Sequence, residues 1–531
     1  MGGKRGAKKI EPVQKFPTKT YVVTAAQGIQ NPYSAYHYDK DSSKGKVIEP
    51  LLKNIEKYVA ENKGELQICA VPGAYVNEIE LDSSLCERED IFMEKNANRR
   101  LNRQRIKEQV RRDYWEEMRI IKEEGKKEFS KEYPMHYFWE EIPETEYKIT
   151  GQRLNTNATV FASPTPSQNR DPFVRKKQFT KKYGGNSIII PSTKQKLQPV
   201  AIGQAGNYPR LMMASGCITK PNYNTSNDRG FLANEEHELG FCVIDVLDDK
   251  LYLPRLVQAQ ENGTFIDLGV KYVPGKDPEK IKAHVLILGD AHCSELDILT
   301  DKANDEMIYE FDPAFIHIHD VFNARCINIH EADDEITKID KSERGLDSLE
   351  EELILTGNYL AKKAKLASRG QVVVNYSNHD DMLYRWLSQG HYKKDNGKNL
   401  RIAHKIIGAF RKGDSILETA LKVVGKTPNN VRFLKLGEDA IYWGYQCGMH
   451  GHKGKNGGRG SLKTLMEDGK IVMGHVHQLE VNQGSASVGT SSIIPLEYQL
   501  GQLSTSMAGN VVIYPEGLMQ ALPIIKGRWR K

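Results

Sequence analysis

Ile471-Val472-Met473-Gly474-His475-Val476-His477 is the stretch that decides how this chain reads. A short apolar run ends in a glycine and two histidines one residue apart. Residues i and i+2 of a strand share a face, so both imidazoles lean toward one point at its end. The pair alone means little, because most such histidines are polar loop residues. Its weight comes from four upstream stretches built the same way. Val285-Leu286-Ile287-Leu288-Gly289 leads to Asp290 and His292, and His317-Ile318 leads to His319 and Asp320. Val372-Val373-Val374 leads through Ser377 to Asn378, His379 and Asp380, and Cys447-Gly448-Met449 leads to His450 and His452. Five strand ends that deliver Asp, Asn or His to one edge of a sheet are how an open α/β fold assembles a site. Ligands of these types, without cysteine, suit Mn²⁺, Fe or Zn²⁺. Twelve of the fifteen histidines lie from His284 onward, where the carboxylates of the pattern also sit.

The order Asp-x-His, Asp, Asn-His-Asp, His, Gly-His-x-His resembles the calcineurin-like metallophosphoesterase superfamily, from about Ile281 onward. Asn378-His379-Asp380-Asp381-Met382-Leu383-Tyr384-Arg385-Trp386-Leu387 and the run from His450 to Ser461 are similar to its tailed-phage branch. That branch includes first-step DNA-transfer nucleases, which degrade host DNA. The resemblance implies a C-terminal sandwich of two mixed sheets flanked by helices and two divalent ions, most readily Mn²⁺. Asp290, His292 and His477 would hold one ion, Asn378, His450 and His475 the other, and Asp320 would bridge them. His379, with Asp380 beside it, would face the scissile phosphate and protonate the leaving oxygen. His452 is the alternative to His450. The chain departs from the pattern at His319 and Ser377, which replace glycines, and at Asn323. Relatives place an aspartate at that last position to orient the catalytic histidine. An amide there accepts the same hydrogen bond without stabilising imidazolium by charge.

Composition bounds the rest. Hydrophobic residues are 39% and charged residues 27%, as in ordinary globular proteins rather than disordered or membrane chains. No apolar run is long enough to span a bilayer, and the first residues lack the apolar core of a secretory signal. Seven scattered cysteines without Cys-x-x-Cys predict reduced thiols and a cytoplasmic setting, the host's if the chain is phage-encoded. The net charge of +6 decides little alone, but its distribution points to a phosphate backbone. Basic residues crowd the first nineteen positions, the helix near 95–130 (Arg99 to Arg112), the run from Arg170 to Lys182, and Lys526, Arg528, Arg530 and Lys531.

Along the chain, residues 1–19 read as a basic arm. Residues 20–277 read as an N-terminal α/β region, and 278–531 as the metallophosphoesterase domain, with the boundary near Gly275–Pro278. Tyr21–Ala26, a helix over 47–61 and Leu66–Val71 form a βαβ unit. Residues 150–235 read as loops between short strands. The hairpin at Val511–Tyr514 and Leu518–Ile525 is expected to close a second sheet. The glycine-rich run Gly454 to Ser461 brings backbone N–H groups, Lys455 and Arg459 toward a phosphate. Arg385, His319 and His452 are further substrate contacts. The function expected is a metal-dependent DNase. The alternatives are a phosphoesterase acting on nucleotides or phosphoproteins, and a DNA-binding structural protein with a dead site. Self-association stays open.

Overall fold

The computed structural model describes residues 17–27, 47–71, 150–162, 171–174, 180, 186–203, 208–221, 223, 225, 228–331, 333–394, 397–496 and 499–531. Most of the N-terminal arm, the helix expected near 95–130, and Arg170, Arg175, Lys176, Lys177, Lys181 and Lys182 lie outside these residues.

Four short parallel strands frame the site. Val285–Leu288, Phe315–Ile318, Gln371–Val374 and Val431–Phe433 lie side by side in that order. Parallel neighbours need crossovers, and helices Ile298–Phe311 and Leu349–Leu366 lie in the first two of them. Side chains alternate between two cores, as strand geometry requires. Leu286, Leu288, Ile316, Ile318, Val372 and Val374 pack among helix residues such as Met307, Leu353 and Leu360. Val285 and Ile287 face the other way, into a core shared with a second sheet.

The C-terminal hairpin does not close that second sheet. Gly509–Ile513 runs antiparallel beside Val285–Leu288, with Val285 opposite Ile513, and Met519–Pro523 lies outside it. The reason is the shared face: Val511, Ile513, Met519 and Ala521 continue the apolar surface of Val285 and Ile287.

The opposing sheet has ten strands drawn from both halves of the chain. Ile441–Tyr442, Tyr445–Gln446, Lys470–Met473, Ser485–Ser487 and Glu480–Asn482 form one part. Val481 then pairs antiparallel with Leu197, and the sheet continues through Ser192–Val200, Arg210–Gly216, Ser187–Ile190, Ala158–Ala162 and Thr150–Arg153. Hydrogen bonding thus runs across the division expected near Gly275–Pro278.

The βαβ unit has the predicted form. Lys19–Gln27 pairs parallel with Glu65–Val71 after helix Glu49–Glu61, and Gly240–Val246 with Tyr252–Gln258 completes a four-stranded sheet. The helix buries Leu51, Leu52, Ile55 and Tyr58 against Val22, Phe241, Val243 and Val257. Below it, Arg255 donates to Asp245 at 2.6 Å and to both oxygens of Asp267 at 2.6 and 2.8 Å, all three residues being buried.

The basic C-terminal residues are not a free tail. Trp529 is buried with its ring 5.2 Å from that of Phe311, and Arg530 stacks on Trp529 while pairing with Glu310 at 3.0 Å. Lys531 reaches Asp245 at 3.5 Å. The indole anchors the segment, and Arg530 and Lys531 meet carboxylates of this chain. Among the described residues, no helix is long and apolar enough to cross a membrane, and six cysteines are free.

Candidate metal centre

Two sheets, rather than one edge, deliver the site. The framing strands carry Asp290, His319, Asp320 and Asn378 just past their ends, while His450, His475 and His477 follow strands of the ten-stranded sheet. Glycines let the two approach. A Cβ at Gly289 would lie 2.9 Å from the backbone of Gly489. One at Gly474 would lie 2.4 Å from Asp290 Oδ1 and 2.8 Å from His319 Cγ. Asp290, held in this crevice, accepts from the His475 backbone N–H at 2.7 Å. His292, Asp320, His475 and His477 all adopt left-handed backbone, with φ of 44°, 43°, 71° and 54°. Such strain in non-glycine residues gathers where a site imposes it.

The side chains form overlapping constellations. Asp290, His292, Asp320 and His477 bring ligand atoms within 4.8 Å of one another, and so do Asp320, His450 and His475. Asp320 belongs to both. His477 Nε2 lies 3.1 Å from Asp290 Oδ2 and 3.0 Å from His292 Nε2. His450 Nε2 lies 3.1 Å from Asp320 Oδ2 and 2.9 Å from Asn378 Oδ1. Asp290 Oδ1, Asp320 Oδ1 and His319 Nε2 are buried without a hydrogen-bond partner among the described residues. Orphaned buried polar atoms are costly, and the carboxylate oxygens of Asp290 and Asp320 with the imidazole nitrogens of His292, His450, His475 and His477 are the donor set a divalent cation takes. The residues present therefore fit a metal ion.

The electrostatics of His292, His475 and Asp320 agree. Burial drives His292 far below its ordinary value, and burial followed by His450 lowers His475 to about 3, so both favour the neutral form that coordinates. Burial opposes ionising Asp320, yet His450 and His379 hold its carboxyl well below the usual range.

Helix Asn378–Ser388 starts in the site because Ser377 caps it. The Ser377 hydroxyl accepts from the His379 backbone N–H at 3.2 Å, and Asp380 accepts from the Ser377 N–H and hydroxyl at 3.0 Å each, closing a capping box. Asp380 therefore positions Asn378 and His379, and burial pushes its carboxyl up to about 7. His379 Nδ1 donates to the backbone carbonyl of Asn323 at 2.6 Å, which leaves Nε2 3.8 Å from Asp320. The Asn323 amide does not meet His379. Its Oδ1 accepts from His292 Nδ1 at 3.0 Å, and its Nδ2 donates to Ser294.

The expected substrate contacts divide. The His452 ring sits 5.5 Å from that of His450 and 6.3 Å from that of His475, with Nε2 3.5 Å from Asp381. Arg459 is exposed, and its charge helps lower His475. Lys455 is exposed and pairs with Glu467 at 3.4 Å, while Arg385 lies on the exposed face of its helix. His317 is a core histidine, between Asn375 Oδ1 at 2.8 Å and the Tyr442 hydroxyl at 3.1 Å. Sequence reasoning missed Asn375, whose amide also donates to the Cys447 carbonyl at 2.6 Å and so ties the two sheets together just before His450. A lone amide at the end of Val372–Val374 was its signal.

No family model matches this chain, and no solved structure does. Protein A1 of Escherichia phage T5 is 26% identical to it over 399 residues, 68% of this chain and 71% of that protein. The relationship is to a tailed phage. The buried Asp and His groups are able to hold a metal ion.

Proposed function

We propose that the chain is a metal-dependent phosphodiesterase of calcineurin-like architecture that hydrolyses DNA in an infected cell. The observation that carries this is the sharing of Asp320 between two adjacent Asp/His constellations. Such a carboxylate suits a pair of cations. Asp290, His292 and His477 would hold one, and Asn378, His450 and His475 the other, with Mn²⁺ the metal expected. When bound, the metals supply charge that polarises a phosphoryl oxygen and acidifies water for in-line attack.

The chain's own residues do the rest. The Asn323 carbonyl fixes Nδ1 of His379 as a donor, so Nε2 is the nitrogen free to exchange a proton. The imidazolium form of His379 would protonate the leaving oxygen through Nε2. The capping box holds that ring at the helix start. Arg459, with Lys455 and Arg385 farther out and His452 beside His450, would meet the flanking phosphate. DNA is favoured as substrate by the tailed-phage resemblance and by the basic runs at Arg99–Arg112 and Arg170–Lys182.

The test is degradation of plasmid DNA against turnover of p-nitrophenyl phosphate, each with Mn²⁺ and with chelator. Chelator-sensitive DNA cleavage is expected. Turnover of the small ester with intact plasmid would move the substrate to nucleotides or phosphoproteins. Inactivity on both would make this a DNA-binding protein with a dead site.

A further inference from the structure

His319 is the residue that the proposed mechanism leaves without a distinct task. It is fully buried, one position before Asp320, where its ring cannot reach solvent or a bulky substrate. Two contacts define it. Its Nδ1 lies 3.3 Å from Nδ1 of His450, with the rings inclined at 31°. Its Cγ lies against Gly474, where an added Cβ would sit 2.8 Å away and also 2.4 Å from Asp290 Oδ1. Asp290, His319 and His450 bring one ligand-type atom each within 4.8 Å of one another. The imidazole thus lies near a ligand from each half of the centre.

His450 turns its Nε2 toward Asp320 and Asn378. For that nitrogen to coordinate through its lone pair, the ring's proton must sit on Nδ1, and a buried N–H needs an acceptor. His319 Nδ1 is the atom in place to accept it. That assignment puts the proton of neutral His319 on Nε2, the nitrogen without a partner among the described residues, on a residue grouped with Asp290, whose Oδ1 is likewise orphaned.

We infer that His319 is a positioning residue, an imidazole acceptor that fixes the tautomer and ring orientation of His450 and so couples the two ligand sets. This deepens the metal reading above and rests on it. Loss of such an outer partner typically weakens metal binding by about 10–100-fold.

The experiment compares Mn²⁺ binding by titration calorimetry and metal analysis in the full chain, in His319→Met and in His319→Gln. Methionine and glutamine have similar size, but only the amide oxygen accepts a hydrogen bond well. The expected result is Mn²⁺ affinity reduced about 10–100-fold in His319→Met and largely restored in His319→Gln. Thermal unfolding of the metal-free proteins checks that each folds. If His319→Met does not fold, His319→Gly titrated with and without added imidazole decides, and recovery with imidazole is expected. Equal affinity in wild type and His319→Met, or no recovery by either glutamine or imidazole, would overturn the positioning role alone. Failure of the unaltered chain to bind Mn²⁺ would overturn the metal reading and this inference with it.

Discussion

Gly474 shows how narrowly the centre is built. A methyl group there would sit 2.4 Å from Asp290 Oδ1 and 2.8 Å from His319, so Gly474→Ala should displace Asp290. Displacements near 1 Å cost on the order of 10²-fold in rate. Metal analysis and plasmid cleavage should fall together, and unchanged metal content would sink the argument. His379 separates chemistry from metal binding. His379→Ala should retain bound metal and cleave DNA about 10²–10⁴-fold more slowly, with a smaller defect on a nitrophenyl ester, whose leaving oxygen needs little protonation. An equal defect on both substrates would remove the proton-donor role. Asn323→Asp should act elsewhere than its position in the motif implies. Its side chain meets His292 Nδ1, so the carboxylate should make His292 a more basic ligand and tighten metal binding. A change confined to the basic limb of the rate profile would instead place it on His379. The ligand types were legible as polar residues ending apolar runs. The carbonyl that holds His379 was not, because a backbone oxygen leaves no mark on side-chain identity.

Short elements set the positions of these residues. Ser377→Ala removes the hydroxyl of the capping box, which should cost about 1 kcal/mol in stability and loosen Asn378 and His379 together. A variant that loses stability but keeps full activity would show that the helix start is held by other means. Arg255 joins strands Gly240–Val246, Tyr252–Gln258 and Phe265–Asp267 through buried Asp245 and Asp267. Arg255→Met strands two buried carboxylates and should cost on the order of 3–5 kcal/mol, read by denaturant unfolding. Glu238 adds a pH term. Burial pushes its carboxyl up to about 7 from an ordinary 4.5, although the Gln195 N–H donates to it. The folded state therefore keeps a proton that the unfolded chain releases. This contribution is complete below pH 4.5 and is lost as pH rises toward 7. Glu238→Gln should flatten that slope, worth on the order of 1–2 kcal/mol given its partial exposure. A slope left unchanged would exclude Glu238 as its source. Strands such as Val285–Leu288 were legible as short apolar runs that end in polar residues. The place of the C-terminal hairpin was not, since local pattern gives the apolar face and not the neighbour it joins.

At the scale of the molecule, one apolar core draws Tyr21, Ile244, Leu197, Val285, Val472 and Val511 from across the chain. The expected division near Gly275–Pro278 rested on a shift in local pattern, which carries no information about pairing between distant strands. The ladder from Val481 to Leu197 is such a pairing. Its consequence concerns solubility. A fragment of residues 278–531 would keep the metal ligands but leave Glu480–Asn482 as a bare strand edge, with Val481 deprived of its partner Leu197. Exposed edges of this kind recruit other chains. Light scattering should find that fragment self-associating at concentrations where the full chain stays dispersed, and adding residues 150–216 in trans should cap the edge and clear the suspension.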